Sequence, residues 1–399
     1  MDLSFLRALY ENQPDRLGGY VSVYLDTTPA SADAAAELSL RWRAARERLA
    51  AAGADDATLD AVEDVLSSRT HDARGQAVFA AAGNVRLDSS LPLPPRQEIA
   101  SYAPLPHVMP LLAQSPARVP HVLVAADRAG GQVLTVSSTG EAAKGDVTGE
   151  SWPVHKVSTG GWSEQRLQRS AEETWADNAR LTADAALAAA QRVHAEFVVV
   201  GGDVRERTMV LDLLPPPLRE AAVVVDKETA PGSPAFTEAA DAEVARRADS
   251  ASRARLDEFR VRMNSKDKSA RRAVEGLRGT LAALRDGLAS DVLIARGGLD
   301  DRDFDRDLAG RGQVTGDAFA GGTEVWVGPG LADAATADTA TAEAGSGEPG
   351  APWPTRDRAD AALARAAAGT GAKLFFVPPD ADPPLDGVGA LLRAPLSAV

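Results

Sequence analysis

The run Phe197-Val198-Val199-Val200-Gly201-Gly202 contains no polar side chain, and it constrains the fold more than any other stretch of the chain. A continuous apolar run closed by glycines predicts a strand buried on both faces. Two similar runs, 119–126 and 221–226, flank it in sequence. Helix-period patterns at about 163–193 and 205–213 lie between them. Strands of this kind alternating with helices predict a mostly parallel sheet covered by helices.

Length then sets how much else must fold. At 399 residues the chain exceeds one ordinary core, and two or three domains are expected. A hydrophobic share of 44% with 25% charged residues describes a globular chain. Having no cysteine, the chain can hold no disulfide, thiol nucleophile or cysteine-ligated metal. The opening Met1-Asp2-Leu3-Ser4-Phe5-Leu6-Arg7 has no basic n-region followed by an apolar run, and no apolar segment approaches about 20 residues. A soluble, cytoplasmic protein is expected.

In chain order, the pattern predicts a helix at 2–12, a strand at 20–25 and helices at 34–52 and 57–66. A hairpin of 76–82 and 85–88 turns at Gly83-Asn84, and a proline-rich stretch closes this unit near 118. A second hairpin, 119–126 with 132–137, opens the next unit. A long helix at 236–263 leads into a third, with a helix at 269–288 and strands at 290–295 and 324–327. Residues 331–354 are rich in Ala, Thr, Gly, Pro and acids without periodicity, and are expected to be a disordered insertion. A helix at 356–367, a strand at 373–377 and a turn plus helix at 385–393 complete the chain. The expected domains are 1–118, 119–262 and 263–399.

Chemistry-bearing motifs are sparse. Gly345-Ser346-Gly347-Glu348-Pro349-Gly350 matches G-x-G-x-x-G, but it follows no strand and opens no helix. The five histidines, 71, 107, 121, 155 and 194, lack ligand spacing, and no metal or cofactor is expected. Asp127 ends a strand as an RNase-H-type acid does, although a hairpin-turn aspartate is the better reading. Net charge is −14, which argues against nucleic acid in general and leaves DNA unexpected as a partner, because phosphate binding needs clustered Lys and Arg. Residues 251–278 run the other way, with nine Lys or Arg against four acids. That spacing suits a solvated helix face laced with ion pairs.

The remaining feature is His155-Lys156-Val157-Ser158-Thr159-Gly160-Gly161-Trp162-Ser163-Glu164-Gln165-Arg166-Leu167-Gln168-Arg169, a basic, glycine-hinged segment entering the long helix. Gly160-Gly161 permits positive φ or close approach of another backbone. Trp162 offers a stacking face, Gln165 an amide, and Lys156, Arg166 and Arg169 positive charge. A plain surface connection whose glycines turn the chain and whose Trp162 packs onto the sheet is the competing reading.

The order hairpin, basic Lys-x-x-x-Gly-Gly segment and Arg-rich helix resembles the middle domain of archaeal and eukaryotic class-1 release factors. Lys156, Gly160, Gly161, Gln165, Arg166, Arg169 and Asn178 fall along the equivalent run. Residues 277–295 resemble the helix–strand opening of the family's third domain, and 371–377 resembles a later strand. In layout, residues 1–393 are similar to the actinobacterial branch of bacterial release-factor homologues related to the ribosome hibernation factor Balon.

The resemblance implies a three-domain α/β architecture. The middle domain would hold an RNase-H-like mixed sheet, and the C-terminal domain would be an α/β/α, ribosomal-protein-like layer structure. It also implies a translation factor that binds the 70S ribosome and its RNA in the A site, with elongation factor Tu as a candidate partner and no membrane contact.

The family's catalytic glutamine directly follows Gly-Gly. Here Trp162 stands there and Gln165 comes three residues later. The stop-codon-reading Asn-Ile-Lys-Ser motif is also absent. These departures point to a hibernation factor occupying the peptidyl-transferase centre. A peptidyl-tRNA hydrolase using Gln165 and a non-ribosomal stress-response binding protein are the alternatives.

Overall fold

The computed structural model describes every residue except 12–18, 29–33, 69–73, 92, 96, 115–118, 138–141, 149–161, 227–230, 267–270, 296–323, 328–333, 336–354 and 396–399. For a few others, chiefly 162–171, it describes the backbone alone. The chain is mixed α/β. It divides into two compact units, Met1–Ser115 with Ala251–Val399, and Pro116–Ser250.

In the first unit, strands β1 (Tyr20–Asp26), β2 (Gly75–Ala81), β3 (Asn84–Leu91) and β4 (Ile99–Ala103) form an antiparallel sheet of order β3-β2-β1-β4. Alternation along a strand sends successive side chains to opposite faces. Val21, Val23 and Leu25 face helices α2 (Ala34–Ala51) and α3 (Asp56–Ser68), where Leu38, Trp42, Leu49, Leu59 and Val62 cover them. Tyr20, Tyr24, Ala77 and Phe79 face the other way, onto α1 (Ser4–Glu11) and α4 (Met109–Gln114).

The C-terminal part of this unit holds a second, mixed sheet. It contains β10 (Ala273–Glu275), β11 (Ala289–Ala295), β15 (Lys373–Val377) and β16 (Val388–Leu392), in the order β10-β16-β11-β15. Only the β11–β15 pair is parallel. Val292, Ile294 and Leu374 share one core with the N-terminal sheet, α9 (Gly276–Arg285) and helix α10 (Ala359–Thr370). Leu293, Val377 and Leu391 pack oppositely, on Leu256 and Phe259 of α8 (Pro234–Met263). A three-stranded sheet of β12 (Glu324–Val327), β13 (Ala334–Ala335) and β14 (Thr355–Arg358) adds Val325 and Val327 to the shared core.

Helix α10 explains why its sequence is so rich in alanine. Every residue from Ala359 to Ala368 is buried. A helix enclosed on all sides needs small side chains to let its neighbours approach. Asp360 and Arg365 are buried with them. Asp360 has no exposed surface and receives both arms of Arg358, Nε at 3.0 Å and a terminal nitrogen at 2.7 Å. It also accepts the Ala361 N–H, and the His107 Nε2 lies 3.7 Å from its carboxylate. Burial alone would raise the Asp360 pKa, but Arg358 and His107 outweigh burial and hold it well below the usual range. Asp357 accepts the Leu105 and Arg358 backbone N–H groups, and burial pushes its pKa up to about 6.

The second unit is a five-stranded sheet of order β7-β6-β5-β8-β9. Its strands are β5 (His121–Asp127), β6 (Gly130–Val136), β7 (Ala142–Thr148), β8 (Phe197–Gly202) and β9 (Ala222–Val224). The β5–β8 and β8–β9 pairs are parallel, whereas β5–β6 and β6–β7 are antiparallel. The sheet is therefore mixed rather than mostly parallel. Val122, Val124, Val198 and Val200 lie under α5 (Trp162–Val193) and α6 (Val204–Leu213). Leu123, Phe197 and Val199 lie under Phe236, Ala240 and Val244 of α8.

Several expected elements differ. The first hairpin turns at Ala82-Gly83, both at positive φ, rather than at Gly83-Asn84. Residues 269–288 are not one helix: β10 precedes α9, and Gly276 at φ +79° separates them. The helix expected at 356–367 starts at Ala359, because 355–358 pair with β12. Residues 388–392 form a fully buried strand after a 3-10 turn, not a helix. Of the insertion expected at 331–354, only Ala334–Ala335 is described, and it forms β13 rather than a disordered stretch; the rest lies outside the described residues. A short helix, α7 (Pro216–Glu220), was not expected.

Candidate functional site

The site is built at one edge of the second unit's sheet. Strand β5 ends at Asp127, which pairs with Gly130 of β6, and Gly130 pairs in turn with Thr148, the last residue of β7. Strand β8 ends beside them, Gly202 opposite Ala126. Asp203 then caps α6 by accepting the Arg205 N–H at 3.0 Å. The exits of three strands and the start of a helix therefore share this edge, where α/β sheets place their ligand sites. Segment 149–161, which includes His155, Lys156, Gly160 and Gly161, joins Thr148 to α5 and lies outside the described residues.

Helix α5 returns across this edge. Its sheet-facing stripe is Ala179, Ala183, Ala186 and Ala190, spaced by four, three and four residues. Small side chains bring the helix close to the strands. At Gly131 an added Cβ would stand 2.7 Å from the Thr182 methyl group. Asn178 is buried and donates its amide to the Arg128 carbonyl at 2.8 Å, tying the helix to the β5–β6 turn. Ahead of that tie, Glu172, Glu173, Ala176 and Asp177 are exposed.

Residues 162–174 lie N-terminal to that tie and account for about 20 Å of helix. Trp162, Gln165, Arg166 and Arg169 all belong to this part, so they stand on the helix rather than in a loop. Their side chains are outside the described residues. Replacing Asn178 by alanine strands the Arg128 carbonyl. It should lower the stability of this unit by about 1–2 kcal/mol in a urea titration.

The edge also gathers residues that sequence reasoning did not single out. The Arg128 guanidinium stands 5.0 Å from the Trp175 ring centre and is 61% exposed. It lies 3.6 Å from Asp203 and 3.9 Å from Glu206. Glu206 is 1% exposed, and burial, then the neighbouring Asp203, raise its pKa. Asp203 is shifted down, by Glu206 and then by the Arg205 N–H. The buried carboxyl thus keeps its proton more readily than its half-exposed neighbour. The one available signal was Asp203 standing just before a helical pattern, as an N-cap does.

Other sequence readings resolve as structural. The Asp127 carboxylate accepts the Ala129 N–H at 2.7 Å, so Asp127 is a turn-forming aspartate. Four arginines of the basic run after 251 are ion-paired. Arg255 and Arg262 both reach Glu258, Arg260 reaches Asp257, and Arg253 meets Asp380. His121 stacks on Phe197 at 4.8 Å, with its Nδ1 at 2.8 Å from the Val119 carbonyl.

Comparison with known proteins fits this region to a family. Residues 120–265 match the family described as bacterial archaeo-eukaryotic release factor family 2. An uncharacterized protein of Mycobacterium tuberculosis is 29% identical over 389 residues, covering 94% of this chain and 93% of its own. Among solved structures, an archaeal translation termination factor covers 98% of this chain and 97% of its own at 14% identity, with a TM-score of 0.24. Archaeoglobus fulgidus Pelota covers 81% of this chain and 80% of its own at 15% identity, with a TM-score of 0.32. The matched residues span β5 to the end of α8 and include the Gly-Gly segment, so over residues 120–265 the chain is similar to that bacterial release-factor family.

Proposed function

We propose that the protein is a ribosome-binding factor of the hibernation type, which occupies the A site of idle 70S ribosomes. Segment 155–169 reaches the peptidyl-transferase centre. Domain 1–118 lies near the decoding centre, 119–262 carries the segment, and 263–399 completes a three-domain factor. Lys156, Arg166 and Arg169 contact ribosomal RNA phosphates, Trp162 stacks on a base, and His155 and Gln165 hydrogen-bond within the same contact. Gly160 and Gly161 allow the close backbone approach. Elongation factor Tu is the delivery partner in this reading.

One observation carries the proposal. A release-factor-like region has Trp162 where the resemblance sets the water-positioning glutamine. An indole at that point fills the site and stacks. It does not position a water, and ångström-scale misplacement of a reactant is costly to catalysis. About 24 Å of continuous helix between the tie at Asn178 and Trp162 favours this reading.

Ribosomes carrying labelled peptidyl-tRNA test the choice between occupying and cutting. The expected result is no peptide release above background. Release that disappears in Gln165→Ala would replace this reading with a peptidyl-tRNA hydrolase.

A further inference from the structure

The first unit contains a cleft of about 390 Å³ between the last turns of α8 and the Asp382-Pro383-Pro384 loop. That volume lies within the range of small-ligand pockets. Its apolar wall is Phe259 and Met263 on α8, one turn apart, facing Pro383 and Pro384. Phe259 is held in place from beneath. An added Cβ on Gly389 of β16 would stand 2.7 Å from its ring, so only glycine lets the ring lie against the strand. Met263 is half-buried beside it, a flexible side chain suited to shaping itself around an apolar guest.

Arg271 lines the same cleft and differs from its neighbours. Along α8, Arg246, Arg247, Arg253, Arg255, Arg260 and Arg262 each meet a carboxylate within 4.0 Å. Arg271 has no such partner among the described residues, and its Nε is buried without a hydrogen bond. In a chain with 57 acidic and 43 basic residues, a half-buried guanidinium without an acidic partner among the described residues is a cost. A bound anion removes it. Glu275 and Asp382 also line the cleft and repel a dianion such as phosphate more strongly than a monoanion. A planar monoanion, which the guanidinium fork matches with two parallel hydrogen bonds, remains.

We propose that this cleft binds a carboxylate carried beside one large apolar group, as at the C-terminal residue of a peptide ending in phenylalanine or leucine. The carboxylate meets Arg271 and the side chain enters between Phe259, Met263 and the two prolines. The proposal does not depend on the function argued for segment 155–169.

Ligand-observed NMR on the full chain tests it, with N-acetyl-L-phenylalanine, its amide and inorganic phosphate as probes. The acid should saturate with a Kd of about 1 mM, and the amide should bind about tenfold more weakly, one lost charge-assisted contact. Arg271→Gln should abolish the preference for the acid, and Arg271→Lys should keep part of it. An unchanged melting temperature in both variants confirms that they fold. Absence of saturable binding by the acid, equal binding of acid and amide, competition by phosphate at the same concentration, or an Arg271→Gln protein that still prefers the acid would each overturn the assignment.

Discussion

Replacing Asp360 by alanine should destabilise the first unit by about 3–5 kcal/mol, because it leaves buried positive charge uncompensated. Asp360 has no exposed surface and holds the fork of Arg358, the Ala361 N–H and the nearby His107 ring. His107 comes from the N-terminal third of the chain and Asp360 from α10, so the loss falls on the seam where both sheets share one core. Calorimetry should show the unit's transition falling by about 10 °C, at a few degrees per kcal/mol for this size. Asp380→Ala, which breaks only the exposed pair with Arg253, is the matched control and should cost less than about 1 kcal/mol. Equal shifts in the two variants would show that burial of the Asp360 network does not matter.

Gly202→Ala should be as damaging to the second unit. Gly202 sits at φ +113°, and an added Cβ would overlap the Ala126 carbonyl oxygen, which also accepts the Asp203 N–H at 3.1 Å. The substitution combines backbone strain with a clash against main chain that cannot swing aside, a cost of about 3 kcal/mol or more. It parts β5 from β8 at the edge from which the Gly-Gly segment departs. Hydrogen exchange should quicken in peptides covering β5 and β8 while the sheets of the first unit keep their protection. Unchanged exchange in β5 and β8 would mean that this edge tolerates a side chain.

These sites also show what a single sequence can and cannot carry. Strand β8 was legible because six apolar residues in a row fit a doubly buried strand. Strand β7, Ala142–Thr148, was not, because it is an exposed edge strand with no apolar alternation. The run Val388-Gly389-Ala390-Leu391-Leu392 reads equally well as a helix end, since a short apolar run with both faces buried has no period to read. The shared core of the first unit was invisible. It joins residues such as Phe79 and Leu363, nearly three hundred positions apart, and local pattern says nothing of that. At the candidate site, Gly160-Gly161 and the basic residues after it were legible as a motif. The cluster of Arg128, Trp175, Asn178, Asp203 and Glu206 was not, because only the strand order brings three separate segments to one edge.

In the proposed reading a chain of net charge −14 binds ribosomes through the cations of one segment. Acidity elsewhere does not prevent this if Lys156, Arg166 and Arg169 meet phosphate directly, but it makes the contact sensitive to salt. Co-sedimentation of the purified full chain with 70S ribosomes from stationary-phase cells, set beside the Lys156→Ala, Arg166→Ala, Arg169→Ala triple variant, measures it. The account predicts that the wild-type protein pellets with ribosomes. The variant should bind at least about tenfold more weakly, with a salt slope shallower by about two to three for its three lost charges. Wild-type protein that stays in the supernatant, or a variant that pellets equally well, would contradict it.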